Sequence, residues 1–248
     1  MRSERIIASV EARMDASRLP GKMAMDIHGQ PALARVFERL KQCELLDGII
    51  LATTISEKDD ALVGLAAEMD IPVFRGSEED VLQRVVDAQR KMESDVIVEI
   101  CGDCPLIDPE IVDLAIETYL FNDCDVVTSG VKQSYPQGTE VQVFSFSALS
   151  DVEKRINDPA VREHVSLYFY ENADTYKIHH LIAPRKLQVP SLRLQLDYKE
   201  DLDLIRAVYE RLEPKFGGCF GVDEIIKLFD MEPSLRDINS SCEEKSPR

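Results

Sequence analysis

Three permanently charged cations lie close together near the start of the chain. Arg13, Arg18 and Lys22 belong to a polar stretch that also contains Ser17 and a Pro-Gly pair. The Pro-Gly pair is typical of a turn, so we expect the cations on a loop. Guanidinium groups, backbone N–H groups and the N-terminus of a following helix all attract anions. The stretch therefore predicts a phosphate-binding loop, with a solvated surface loop as the alternative.

Two aspartates each follow directly after a predicted strand. Asp103 follows residues 95–101 (DVIVEIC), and Asp197 follows residues 192–196, where leucines alternate with Arg193 and Gln195. Ligands of an open parallel sheet bind outside the carboxyl ends of its strands, so both carboxylates are expected near the cationic loop. Carboxylates that face a phosphate suggest Mg²⁺. The alternative is that each aspartate caps the helix after it.

The apolar pattern of the first half of the chain predicts the elements that position these residues. Short apolar runs alternate with amphipathic stretches, and no hairpin signal separates them. The predicted strands are residues 6–10, 48–53, 72–74, 95–101 and 125–129, and the predicted helices begin at Pro31, Lys58, Ser77 (as N-cap) and Asp108. Such alternation predicts an α/β fold with a mostly parallel central sheet and helices on both faces.

The pattern changes after Gly130. Residues 140–146 alternate in character, which predicts an antiparallel or edge strand. Further strands are predicted at 176–182 and 192–196, and helices are predicted from Asp158, near Lys199 and at Val222. We expect one domain over residues 1–235 with a small antiparallel extension, and a disordered polar tail at 236–248.

The composition excludes some partners. A net charge of −17 argues against nucleic acid, because such binding depends on neutralised phosphates. The ends of the chain show no long hydrophobic run and no signal-peptide pattern, so we expect a soluble, cytoplasmic protein without a membrane partner.

Six cysteines include one close pair, Cys101 and Cys104. A structural zinc site needs four ligands, and no second pair has suitable spacing. A redox pair is possible, but we favour reduced cysteines at the end of a buried strand.

Three segments resemble a known family. RMDASRLPGK, ICGDCPLIDPE and LQLDYKEDLDLI match, in order and spacing, the cytidylyltransferases that activate sugars with CTP, which include the 3-deoxy-manno-octulosonate and acylneuraminate enzymes. FRGSEEDVLQR, YPQGTEVQVFS and DPAVREHV are similar to the spore-coat-polysaccharide (SpsF-type) branch in particular. The resemblance covers about residues 6–212 and implies a Rossmann-like nucleotide-diphospho-sugar transferase fold.

The resemblance implies roles for individual residues. Asp103 and Asp197 would hold Mg²⁺, and the catalytic residues would be Arg13, Lys22 and Asp103. The implied CTP-binding residues are Ala8 and Val10 beside the cytosine and ribose, together with Arg13, Ser17, Arg18, Lys22, Ser77 and Gly102.

The segment at about 131–190 would carry acceptor binding and a homodimer contact. Its candidates are Tyr135, Gly138, Glu140, Arg162 and His164. His164 could be a general base, although a helix histidine is more often structural. Cys101, where the octulosonate enzymes commonly carry Gln, and the acidic turn at 76–80 both fit the SpsF-type branch. They leave the acceptor open as a sugar or sugar acid, with nonulosonic acids, octulosonates and their amino variants, and phosphorylated polyols or amides as the alternatives.

The implied reaction is attack by an acceptor oxygen on the α-phosphorus of CTP, with release of pyrophosphate. Two other classes compete with it. A nucleotide-sugar-dependent glycosyltransferase would usually carry Asp-x-Asp after the central strand, where this chain has Gly102-Asp103-Cys104. A non-catalytic nucleotide-binding module would not need a metal-binding pair of aspartates.

Overall fold

The computed structural model describes residues 3–243. Its strands are β1 (Ile6–Glu11), β2 (Asp26–Ile27), β3 (Gln30–Pro31), β4 (Gly48–Thr54), β5 (Val73–Gly76), β6 (Val96–Cys101), β7 (Val126–Thr128), β8 (Gln142–Ser145) and β9 (Ile178–His180). Its α-helices are α1 (Ala32–Leu40), α2 (Asp60–Glu68), α3 (Val81–Lys91), α4 (Pro109–Phe121), α5 (Phe146–Arg155), α6 (Pro159–Glu163), α7 (Leu167–Glu171), α8 (Lys199–Phe216) and α9 (Val222–Met231). Short 3₁₀ turns lie at Lys22–Ala24, Glu57–Asp59, Arg185–Leu187 and Pro233–Asp237.

Seven strands form one sheet in the order β5-β4-β1-β6-β8-β7-β9. All neighbouring pairs are parallel except those of β8, which runs antiparallel to both β6 and β7. The mostly parallel sheet is confirmed. The antiparallel strand β8 lies inside the sheet, and its adjacent residues Val143 and Phe144 are both fully buried because each face is covered.

Helices cover both faces of the sheet, as predicted. On one face, Ala8 and Val10 of β1 pack with Phe37 of α1 and with α4. On the other face, Ile7 of β1 packs with α3, α5, α6 and α7. A third apolar cluster joins α8 and α9 to residues 192–196 around Tyr209. Successive side chains of β1 therefore pack alternately into the apolar clusters on the two faces of the sheet.

Residues 192–196 form no strand of the sheet, unlike the prediction. The Leu194 backbone N–H donates to the Gln137 carbonyl at 2.7 Å, and that of Leu196 donates to the Asp103 carbonyl at 2.8 Å. This extended segment is hydrogen-bonded to two loops, so its alternating pattern reflects burial against loops and helices.

The helix predicted from Ser77 begins at Val81 and has Asp80 as its N-cap. The Asp80 carboxylate accepts the Gln83 N–H at 2.9 Å, whereas the Ser77 hydroxyl accepts the Asp80 N–H at 3.1 Å. The helix predicted from Asp158 is divided into α6 and α7, with His164 following α6.

The segment predicted as a disordered tail is ordered in its first part. Asn239 is buried, and its side-chain amide donates to the Arg193 carbonyl at 3.1 Å and to Asp201 at 2.8 Å. These two bonds tie the segment to the chain around Asp197. Residues 244–248 of the predicted tail lie outside the described residues. Within residues 3–243, no helix is both long and apolar enough to cross a membrane.

Candidate active site

Lys22 lies between two aspartates that are far from it in sequence. Its ammonium donates to Asp103 at 2.7 Å and to Asp197 at 2.8 Å, and the lysine side chain is only 7% exposed. The structure therefore brings together the last cation of the predicted phosphate loop and both predicted metal ligands. Their roles stay predictions.

The end of β6 positions Asp103. The Gly102 N–H donates to the Glu11 carbonyl at 2.9 Å, which holds the ends of β6 and β1 together. A Cβ at Gly102 would lie 2.8 Å from that carbonyl oxygen, so only glycine allows the approach. Gly102 therefore acts in this structure by aiming Asp103.

Neither aspartate caps a helix. Asp108 is the N-cap of α4, and Tyr198 is the N-cap of α8. The N–H groups of Asp197 and Tyr198 both donate to the buried carboxylate of Asp201 at 3.0 Å. The alternative explanation by capping is therefore wrong for both Asp103 and Asp197.

Asp197 is held as a carboxylate by three cations. Arg18 contacts it at 2.6 Å and Arg193 at 3.0 Å, in addition to Lys22. Burial alone would raise the pKa of Asp197, but the hydrogen bonds from Arg18 and Lys22 outweigh burial and lower its pKa to about 2. Burial would lower the pKa of Lys22, and the charges of Asp103 and Asp197 raise it instead.

Sequence reasoning missed Arg193 and Asp201 as members of this cluster. Arg193 donates to Asp201 at 3.0 Å, and both side chains are buried. Gln195 also lies close to Asp103, at 3.4 Å. The alternation in LRLQLD was the available signal, because it places Arg193, Gln195 and Asp197 on one side of an extended segment.

We call the group of Arg18, Lys22, Asp103, Arg193, Asp197 and Asp201 the Lys22 cluster. Arg13 lies outside it. It faces Glu78 at 3.6 Å, and the two side chains are 42% and 46% exposed. An ion pair so long and so open holds its partners weakly. Arg13 is therefore free to bind another anion. Ser17 and Ser77 are exposed as well.

Ala8 and Val10 do not line the site. Both side chains have no exposed surface, and β1 is hydrogen-bonded to β4 on one side and β6 on the other. The prediction that they contact the cytosine and ribose is wrong in this structure, because they belong to the apolar core on the α1 and α4 face.

Gly138 and Glu140 form a turn against the Asp197 segment. Glu140 accepts the Gly138 N–H at 2.6 Å and a bond from Gln133 at 3.1 Å. Gly138 has φ +87°, and a Cβ there would lie 2.5 Å from the Gln195 backbone nitrogen. This turn therefore supports the segment that carries Asp197.

The other predicted acceptor residues lie apart. Arg162 donates to Asp80 at 2.9 and 2.5 Å, so it fastens the N-cap of α3 to α6. Tyr135 is buried and borders a cavity of about 890 Å³ near the start of α4. His164 is exposed at the end of α6. Arg162 is thus used structurally, and the five candidates do not form one cluster. The acceptor role of Tyr135 stays a prediction.

Two buried or partly buried acids of the central strands, Glu11 and Glu99, were also not predicted from the sequence as candidate functional residues. They lie on β1 and β6, where the neighbouring residues are apolar, and that contrast was the signal. Burial, followed by the charge of Glu99, raises the pKa of Glu11. Burial raises the pKa of Glu99 to about 7, although the Ser166 hydroxyl donates to it.

The residues suited to a divalent cation are Asp103 and Asp197. Mg²⁺ commonly takes one or two protein carboxylates and completes its shell with phosphates and water, so this pair fits it. No cluster of three or more metal-ligating side chains occurs within residues 3–243. Cys101 and Cys104 are free thiols. Cys104 is buried, and burial raises its pKa, which disfavours the thiolate that a redox or zinc role of the pair needs.

Comparison with known proteins decides the family. Residues 7–216 match the sequence model of a family described as Cytidylyltransferase. The chain belongs to the cytidylyltransferase family. It is a nucleotidyltransferase, which confirms the resemblance read from RMDASRLPGK and ICGDCPLIDPE and excludes the non-catalytic module.

Relatives of this cytidylyltransferase cover nearly all of the chain. An uncharacterized protein of Methanocaldococcus jannaschii is 37% identical over 98% of both chains. The spore coat polysaccharide biosynthesis protein SpsF of Bacillus subtilis is 31% identical over 92% of this chain and 95% of its own. A solved cytidylyltransferase from Leptospira borgpetersenii matches with a TM-score of 0.86 and 28% identity, over 93% of this chain and 95% of that one.

Proposed function

We propose that this cytidylyltransferase transfers CMP from CTP to a sugar or sugar acid that is used for a surface polysaccharide, with release of pyrophosphate. The polysaccharide role is supported by the likeness to SpsF. In this proposal the protein acts in the cytoplasm as a homodimer, and residues 131–190 contribute acceptor binding and the dimer contact.

The contact of Lys22 with Asp103 and Asp197 carries the proposal. This contact brings a lysine of the cationic loop next to two carboxylates, and both carboxylates bind the same ammonium group. Transfer of a nucleotidyl group needs both kinds of residue, because the triphosphate is anionic and its oxygens also ligate a metal.

The reaction needs positioning and charge stabilisation. An acceptor oxygen forms a bond to the α-phosphorus of CTP while the bond to the bridging oxygen of pyrophosphate breaks. Lys22, Arg13 and Arg18 would bind the triphosphate and stabilise the charge that develops on the leaving pyrophosphate. Arg13 is suited to this because its pair with Glu78 is weak.

Asp103 and Asp197 would hold Mg²⁺. When bound, Mg²⁺ would polarise the α-phosphate and neutralise part of its charge. Arg18 and Arg193 keep Asp197 ionised, and Gln195 orients Asp103, so the chain presents both carboxylates as ligands.

Pyrophosphate release tests the proposal. The wild-type protein, MgCl₂ and a panel of sugars and sugar acids are mixed with CTP, ATP, GTP or UTP in turn. We expect release with CTP and at least one acceptor, and loss of release when EDTA is added. Equal release from all four nucleotides, or none from CTP with any acceptor, would contradict it.

A further inference from the structure

Lys22 binds the same two carboxylates that are suited to a metal ion. Its ammonium nitrogen lies 2.7 Å from Oδ2 of Asp103 and 2.8 Å from Oδ1 of Asp197. A divalent cation held by both aspartates would lie between them as well, and two cations in one place repel each other strongly. Lys22 therefore cannot remain on the two aspartates while they share a Mg²⁺ ion.

The contacts of Lys22 use one oxygen of each carboxylate. The other oxygen of Asp197, Oδ2, accepts from Arg18 at 2.6 Å and from Arg193 at 3.0 Å. Among the residues that the structure describes, Lys22 is the only lysine or arginine that forms an ion pair with Asp103. If the ammonium moves away, it frees an oxygen on each aspartate. The two arginines still neutralise part of the charge of Asp197.

The backbone of Lys22 is held in place, so the side chain alone can make this movement. The residue begins the 3₁₀ turn Lys22–Ala24, and its N–H donates to the Leu19 carbonyl at 3.2 Å. Its carbonyl accepts the Met25 N–H at 3.2 Å, and the adjacent Met23 is buried in the apolar core. A lysine ammonium lies at the end of a flexible four-carbon stem. It can therefore exchange one anionic partner for another without disturbing the turn.

The triphosphate of CTP is the anion that can draw Lys22 from the carboxylates. In the proposed function it binds the loop that carries Arg13, Arg18 and Lys22, so it arrives next to the ammonium. It carries several negative charges, which can replace the two that the lysine gives up. Its oxygens are also ligands for Mg²⁺, so the metal ion gains ligands at the moment when both aspartates become available.

We propose that Lys22 blocks the metal site until CTP binds. The ammonium neutralises Asp103 and Asp197 in the nucleotide-free protein, moves to the triphosphate when CTP binds, and leaves both carboxylates to the metal ion. This inference rests on the proposed function and adds an order of binding to it. Metal should bind weakly without nucleotide. CTP and metal should each raise the affinity for the other by the same factor, because such coupling is reciprocal.

Manganese titration without nucleotide tests the proposal, with the EPR signal of free Mn²⁺ as the readout. We expect Lys22→Met to bind Mn²⁺ at least 10-fold more tightly than wild type, a change within the usual range of coupling between sites, roughly 5–150-fold. Asp103→Asn in the Lys22→Met background should remove this gain, which assigns the bound ion to the two aspartates. Lys177→Met removes an exposed lysine that pairs with Asp123 at 2.6 Å, and this matched control should bind Mn²⁺ like wild type.

Arg18→Met separates displacement of a cation from a mere change in charge. Arg18 also pairs with Asp197, but on the oxygen that Lys22 does not contact. If Lys22 occupies the place of the metal ion, Arg18→Met should change the Mn²⁺ affinity by less than 3-fold. Equal gains in the Lys22 and Arg18 variants would show that loss of any nearby positive charge has this effect, and would overturn the inference.

Thermal unfolding shows that the variants fold and provides a second readout. Excess MnCl₂ should raise the Tm of Lys22→Met more than that of wild type, because a ligand stabilises the folded state to which it binds. Lys22→Gln, whose side-chain amide can still donate a hydrogen bond, should show the same tighter binding. Equal Mn²⁺ affinity of wild type and both Lys22 variants would overturn the inference.

Binding of CTP is measured separately, by equilibrium dialysis of the wild-type protein with MgCl₂. If the wild-type protein does not bind CTP, the proposed function fails. If it binds CTP but the nucleotide-free Lys22 variants gain no affinity for Mn²⁺, only the block by Lys22 fails.

Discussion

Two groups of buried acids lie at the same edge of the sheet and have opposite pKa shifts. Asp197 accepts from Arg18, Lys22 and Arg193. Burial would raise its pKa, but the bonds from Arg18 and Lys22 outweigh burial and lower it to about 2. Glu99 accepts from the Ser166 hydroxyl, and burial raises its pKa to about 7. Burial acts in the same direction on both, so the charge of the partner decides the sign.

The comparison shows how the bonded partners of a buried carboxyl decide its charge near neutral pH. The cations around Asp197 keep that carboxyl ionised at physiological pH, which suits a metal ion and a triphosphate. Glu99 has no cation among its bonded partners within residues 3–243 and lies close to titration near neutral pH, which suits a group that exchanges a proton.

The largest expected effect comes from removing the cation of the first group. Lys22→Ala should lower kcat/KM for CTP by about 10²–10³, by analogy with loss of one oxyanion donor (roughly 2.7–4 kcal/mol). Steady-state pyrophosphate release measures it. Lys227→Ala removes an exposed lysine of α9 and is the matched control. Activity of the Lys22 variant within a few fold of wild type would refute the role.

A pH-dependent stability should come from the second group. Glu99 holds its proton in the folded state up to about pH 7, whereas in the unfolded chain the same carboxyl has its ordinary pKa of 4.5 and loses the proton earlier. Its stabilising contribution is therefore complete below pH 4.5 and is lost as the pH rises through 7. From pH 5 to 8, wild type should lose roughly 2.5 kcal/mol relative to Glu99→Gln. Urea unfolding at both pH values measures this, and parallel changes in the two proteins would contradict it.

A smaller effect tests whether the hydrogen bonds of Asn239 stabilise the Lys22 cluster. Asn239→Ala should cost about 1 kcal/mol of unfolding free energy, because it removes the bonds to Asp201 and to the Arg193 carbonyl. Thermal unfolding detects the change. Ser240→Ala changes an exposed neighbour and is the control. Equal stability of the two variants would show that the segment adds nothing to the cluster.

The smallest effect concerns the hydroxyl partner of Glu99. Ser166→Ala removes a donor that lowers the pKa of this carboxyl, so the pKa should rise further. Carboxyl NMR titration measures it, with Glu99→Gln used to assign the signal. A fall in the pKa, or no change, would show that Ser166 does not control the charge of Glu99.

The strands of the first half of the chain could be predicted because each is a short apolar run whose two faces are both buried. Asp103 and Lys22 could be selected because their types and positions relate to strand ends and a Pro-Gly turn. Arg162 and Ser77 show the limit of such reasoning. Both lie in segments that match the family, but Arg162 is bonded to Asp80, and Ser77 orders the turn before α3. A local sequence pattern does not reveal which distant residue a given side chain will contact.

By itself, the sequence determined the family, the alternation of strands and helices, and the residue types that can bind phosphate and metal. These depend on local order and periodicity along the chain. Only the tertiary structure decided that Lys22 lies between Asp103 and Asp197, that β8 separates β6 from β7, and that Glu11 and Glu99 are neighbours. Those facts depend on contacts between segments as far as 175 residues apart, and the charge state of each carboxyl follows from such contacts.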